Sequence, residues 1–195
     1  MKPVVKPSPT IILIFLNLLA YIYTSLVGGN FIVTDDTVLQ IYGQFNYAVL
    51  YQGTWWQLLT SVFVHVSIIH FVTNMFFLLL FGMRTEELFS DSEYYLVYLL
   101  SGISGSIFSL LWPPLTVSAG ASGAIFGLFG SVLIYMRSVV GRSVLGALLM
   151  AFLFLIVTLS STANVLAHLG GLVAGLGIGY FIARGKRATY SRLVY

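Results

Sequence analysis

A chain of 195 residues that is 58% hydrophobic and only 8% charged departs sharply from a soluble domain, where about a quarter of residues carry charge. Such a composition excludes a water-soluble globule and a disordered chain. Nine Lys and Arg against six Asp and Glu leave a net charge of +3, no signal for nucleic acid, and the absence of cysteine removes disulfides, zinc-thiolate sites and a thiol nucleophile.

The charges leave four long uncharged stretches, 7–34, 37–83, 94–136 and 143–183. A spanning helix needs about 20 predominantly apolar residues. The last two stretches each hold two helices, because Trp112-Pro113-Pro114-Leu115 and Ser160-Ser161-Thr162-Ala163-Asn164 interrupt them. The reading is an all-α membrane protein of six transmembrane helices, one domain over 1–195 with its core at about 10–183.

Span one covers about Thr10 to Val27 and ends at Gly28-Gly29-Asn30. Basic residues precede it, as in a signal peptide, but no small-x-small cleavage site stands out. Residues 28 to about 57 form an outer loop whose second half, with Tyr42, Phe45, Tyr47, Tyr51, Trp55 and Trp56, is too aromatic for a solvated linker. Such rings favour the membrane-water boundary, so this loop is expected to lie partly in the outer leaflet. Span two covers about Ser61 to Gly82, span three Tyr94 to Leu111, span four Ala119 to Met136, span five Val144 to Thr158 and span six Ala163 to Ala183. With this count all nine basic residues fall on one face, in or beside the segments at 2–6, 84, 137–142 and 184–192. Loops rich in Lys and Arg stay cytoplasmic, which places both termini there, in a cell (inner) membrane.

Three histidines, at 65, 70 and 168, fall in or at the edge of spans two and six. An ionisable group inside the bilayer costs about 2.5 kcal/mol or more, so it faces a wet cavity or a partner. On the derived topology His70 and Asn74 of span two, Ser122 of span four and His168 of span six all lie in the outer part of the membrane. His65 sits nearer the surface, where its expected task is to pin the aromatic loop. His70 and Asn74 share a helix face at i, i+4, as do Ser122 and Phe126. His168, Gly171 and Gly175 fall at i, i+3 and i+7. Small residues at four-residue spacing let membrane helices meet backbone to backbone, and Gly123-x-x-x-Gly127 on span four matches Gly171-x-x-x-Gly175-x-x-x-Gly179 on span six.

A close contact of those two spans brings Ser122 toward His168. Neutral imidazole can take the serine proton, with general-base help worth about 10²- to 10⁴-fold. No Asp or Glu lies in any span, so the pair is a dyad whose histidine is oriented by packing, with Phe126 the candidate ring. His70, Asn74 and the Ser122 amide are the candidate donors to an oxyanion. Gly102-Ile103-Ser104-Gly105 on span three offers a competing serine at a depth that does not exclude it.

These residues resemble the rhomboid family of intramembrane serine proteases. The resemblance rests on His65-x-x-x-x-His70-x-x-x-Asn74, Gly82-x-x-x-Glu86, Gly120-x-Ser122-Gly123 and Ala167-His168-x-x-Gly171-x-x-x-Gly175. It implies a rhomboid-like bundle in its minimal core form and no cofactor. Ser122 becomes the nucleophile, His168 the general base and then acid, and His70, Asn74 and the Ser122 amide the oxyanion hole. It implies an aromatic packed on the histidine, here Phe126, and substrates that are single-span membrane proteins cut in or near the bilayer. One departure is Trp56-Gln57, where the family often has Trp-Arg and so a guanidinium to anchor the outer loop. Two other classes compete: a catalytically silent rhomboid-like protein that binds transmembrane segments, and a small transporter. The first would typically have lost Ser or His. The second is disfavoured by the lack of intramembrane carboxylates and internal repeats.

Overall fold

A computed structural model describes residues 7–140, 145, 149 and 164–194. Predicted span five lies, but for Leu145 and Leu149, outside the described residues. Helix α1 (Pro9–Gly28) starts with the Ser8 side chain accepting from the Ile11 amide and with proline at N1. It stops at Gly29, whose φ of 68° is the left-handed conformation that favours glycine at a helix end. Its buried stripe, including Thr10, Leu13, Asn17 and Tyr21 at helical spacing, faces α5 (Ile68–Leu88). Glu86 of α5 accepts from the Ser8 hydroxyl and the Thr10 amide, both at 2.6 Å, so an otherwise orphaned helix-end donor is satisfied across the interface. Gly82, one turn earlier, leaves room for Thr10 and Tyr94, whose hydroxyls meet at 3.0 Å.

Helix α5 begins later than the predicted span two. The run Val62-Phe63-Val64 is apolar enough to pass for helix, yet it passes from a turn into irregular chain, and α5 starts only where the Ser67 side chain accepts from the His70 amide. His65 is therefore outside the helix and His70 in its first turn. The backbone of this preceding segment is used elsewhere: Ser61 O accepts from Gly120, and Val66 O from Thr34. Helix α6 (Asp91–Ser109) opens with a capping box in which Ser90 and Glu93 satisfy each other's amides.

Helix α7 (Ser122–Tyr135) is the centre of the molecule, packed on α5, α6 and the last helix α8 (Val165–Val194), and continues as a π-turn over Met136–Val140. Every residue from Ser122 to Val132 is buried. Glycine makes this possible. A Cβ added at Gly171 would fall on the Gly123 carbonyl, one at Gly175 on the Gly127 carbonyl, and one at Gly127 on Ser101 of α6. Among the described residues four helices are long and apolar enough to cross a membrane: α1, α5, α7 through Val139 and α8 through Lys186.

The outer loop contains α2 (Asp36–Tyr42), strand β1 (Gln44–Phe45), α3 (Asn46–Gln52) and α4 (Gln57–Thr60). Tyr47, Tyr51, Trp55 and Trp56 are exposed, while Gln57 is buried. The Gln57 amide donates to the carbonyls of Gln40 and Ile41 at 2.8 and 3.2 Å, and its oxygen accepts from the Phe45 amide at 2.9 Å. One neutral side chain thus ties three parts of the loop. β1 pairs antiparallel with β2 (Val117–Ser118), joining the outer loop to the segment that leads into α7.

Candidate active site

The Ser122 hydroxyl and His168 Nε2 are 2.8 Å apart, both side chains buried. Ser122 is the first residue of α7, so its amide belongs to the unpaired N-terminal turn, the positive end of the helix dipole. His168 projects from the first turns of α8, and the Phe126 ring lies against it with centroids 4.8 Å apart and planes tilted by 31°. Gly171 and Gly175 bring the α8 backbone directly against the α7 backbone at Gly123 and Gly127, beside the two side chains. For Nε2 to receive the serine proton, the neutral imidazole must carry its own proton on Nδ1.

Both side chains line a cavity of about 610 Å³. His70 lines it too, its ring packed on Gly120, whose φ of 134° and contact with that ring both exclude a side chain. Within the described residues the buried Nδ1 of His70 has no hydrogen-bond partner. Asn74 stands behind, fully buried and absent from the lining; one amide N–H donates to the His70 carbonyl at 2.9 Å. His65 is buried behind His70, with ring centroids 5.4 Å apart, and its carbonyl accepts from the Thr34 hydroxyl at 2.7 Å. Its tie to the outer loop therefore runs through its backbone. Ser104 donates its hydroxyl to the Gly170 carbonyl at 3.0 Å, a helix-packing bond away from His168.

Two positioning features were not apparent from the sequence. Asn164 reads there only as part of a helix-breaking run, yet its Oδ1 accepts from the Ala167 amide at 3.1 Å and from Trp112 Nε1 at 2.7 Å. Its Nδ2 donates to the hydroxyls of Ser109 and Ser118 at 2.5 and 2.7 Å. The side chain caps α8 four residues before His168 and ties that cap to β2, four residues before Ser122. An Asn preceding an apolar helical run was the available signal. The second feature is the β1–β2 pair, reinforced by Asn46 N donating to Thr116 O and Tyr47 N to Pro114 O. Two-residue strands leave no periodicity to detect.

Residues 52–185 match the Rhomboid domain family. The chain belongs to the rhomboid family. RHOMBOID-like protein 6, mitochondrial, of Arabidopsis thaliana is 36% identical to this rhomboid over 78% of the chain and 52% of the relative. Rhomboid protease GluP of Bacillus subtilis (strain 168) is 31% identical over 93% of the chain and 37% of the relative. YdcA of the same organism is 33% identical over 90% and 88%. The chain thus spans about half or less of the first two relatives and most of the third. Membership and four apolar helices among the described residues make this rhomboid a multi-pass integral membrane protein.

Proposed function

We propose that this rhomboid is an intramembrane serine endopeptidase that hydrolyses peptide bonds in or near the membrane segments of single-span proteins. The observation that carries the reading is the 2.8 Å approach of Ser122 Oγ to His168 Nε2 in a cavity that His70 also lines. The serine oxygen attacks the scissile carbonyl as its proton passes to Nε2. The resulting oxyanion is stabilised by the Ser122 amide and the His70 ring; Asn74, which stands behind the cavity wall, joins them as the remaining donor when its amide turns toward the oxyanion. The imidazolium then protonates the leaving amine, which departs as the acyl-enzyme forms. A water gives its proton to the same Nε2, attacks the ester carbonyl and regenerates Ser122 as the acid product leaves. With no carboxylate in the dyad, ring contact with Phe126 supplies the orientation.

In this reading the membrane domain covers the whole of 1–195. Predicted span five and α6 complete six spans, the aromatic outer loop rests in the outer leaflet, and both termini are in the cytoplasm of a cell with this inner membrane. A peptide carbonyl locked in an intact helix is closed to attack, so substrates unwind near small residues. Purified protein in detergent with a model single-span substrate tests the proposal. Cleavage is expected from wild type and not from Ser122→Ala, with a fluorophosphonate probe labelling Ser122. If wild type cuts no better than Ser122→Ala and the probe leaves Ser122 unlabelled, the reading fails. A probe found on Ser104 overturns the site and keeps the chemistry.

A further inference from the structure

The six carboxylates of the chain divide by what they do. Glu86 accepts from the start of α1, Glu87 pairs with Arg84, Glu93 pairs with Lys186, and Asp91 lies in the first turn of α6 at that same end of the molecule. At the other end Asp35 caps α2, its Oδ1 accepting from the Thr37 and Val38 amides at 2.8 and 3.2 Å. Asp36 is different. It is exposed, its carboxylate has no hydrogen bond or ion pair among the described residues, and it lines the cavity that contains Ser122 and His168. Among the described lining residues it is the one carboxylate, and no Lys or Arg is with it.

Its place is built. Val33 bridges to Ser67, the Thr34 amide donates to Val66 O and the Ile68 amide to Ile32 O, both at 3.0 Å, so the strand leading to Asp36 is fastened beside the start of α5. An uncompensated charge on the rim of a cavity with low-dielectric walls focuses its field into that cavity. Charge arranged this way selects among partners more than it adds raw affinity. Resting on the peptidase reading, we infer that Asp36 is a specificity-determining residue. It favours membrane segments that present Lys or Arg on the outer side close to the cleaved bond, and disfavours those with Asp or Glu there.

Asp36 also occupies the first turn of α2, where a carboxylate suits the helix dipole; the test separates this local role from selection. One single-span substrate is prepared with Lys, Gln or Glu at each residue of the outer stretch beside the scissile bond. Each form is compared with wild type, Asp36→Asn, Asp36→Glu and Asp36→Lys. Wild type is expected to prefer Lys over Glu by about tenfold in kcat/KM at low salt, shrinking as salt screens the pair. Asp36→Asn flattens the series, Asp36→Lys inverts it and Asp36→Glu keeps it. A series that is flat in wild type, or equally steep in Asp36→Asn and Asp36→Lys, overturns the inference, because a helix-stabilising role alone changes all substrates together. Affinity of the same segments for Ser122→Ala reads the selection without turnover. Ordered affinities with no cleavage by wild type sustain the role of Asp36 while the peptidase reading falls; equal affinities overturn the role of Asp36.

Discussion

Helix α7, continued through Val139, and helix α1 are both apolar and both long enough to span a bilayer, yet over an 18-residue stretch of each 61% of the residues are buried in the first against 28% in the second. The difference begins in composition. α7 carries Gly123, Gly127 and Gly130 where α6 and α8 approach, so its neighbours rest on its backbone and nothing can be added. α1 exposes Phe15, Leu19 and Leu26 and is fastened by a few polar bonds, among them Asn17 Nδ2 to the Tyr98 hydroxyl at 3.2 Å. Side-chain packing can give by tenths of an ångström, whereas backbone-on-backbone contact cannot. The candidate site is mounted on the second kind of contact.

Breaking that contact should have the largest effect. Gly171→Leu forces α8 off α7 and is expected to abolish turnover with Ser122 and His168 both present; retained cleavage would show that the seam does not set their separation. Next in size, Asn74→Ala is expected to lower kcat by about 10²-fold with KM little changed, the signature of a donor used in the transition state. A rise in KM alone would remove Asn74 from that role. Asn164→Ala uncaps α8 and frees it from β2. About a tenfold loss of turnover and of fluorophosphonate labelling is expected, below the roughly 10²-fold that a 1 Å misplacement can cost, and an unchanged labelling rate would argue against it.

Smaller still is the effect of pH at the opposite end. Burial alone pushes the Glu93 carboxyl up, but Lys186 at 2.8 Å and the Ser90 cap outweigh it and hold it below its ordinary value. A carboxylate depressed by folding contributes stability above its unfolded pKa of about 4.3, lost as pH falls through the folded value. Wild type should therefore lose thermal stability over that acidic range by more than Glu93→Gln does, and equal losses would dismiss the pair. At the bottom of the scale, Phe15→Ala on the exposed face of α1 is expected to leave stability within about 0.5 kcal/mol and activity intact.

The sequence discloses different parts of this molecule to different degrees. Long uncharged runs place α1, α6, α7 and the start of α8 within a few residues, because about 20 apolar residues have few other solutions. The glycine spacing of α7 and α8 is equally legible, since period four on two helices marks their facing sides. The beginning of α5 is not. Hydropathy cannot tell Val62-Phe63-Val64 in a turn and irregular chain from the same residues in a helix, and only Ser67, as a cap, signals the boundary. Ser122, His168 and His70 are singled out by polar chemistry that apolar spans rarely carry, and Phe126 by its i, i+4 spacing from Ser122. Asn164 escapes notice because its importance lies in three partners distant in sequence, Trp112, Ser109 and Ser118, and β1 and β2 because pairing of two residues leaves no local trace.

Gln57 has a consequence for how the outer loop is held. A guanidinium at that position would be a permanent cation, and burying it requires a counter-ion or a wet surrounding. The carboxamide instead closes its three bonds with backbone groups alone, both as giver and as taker of hydrogen. The clasp so formed has no charge to screen and no proton to lose. It holds equally in dilute buffer and in brine, and it can be drawn toward the lipid without pulling an ion behind it.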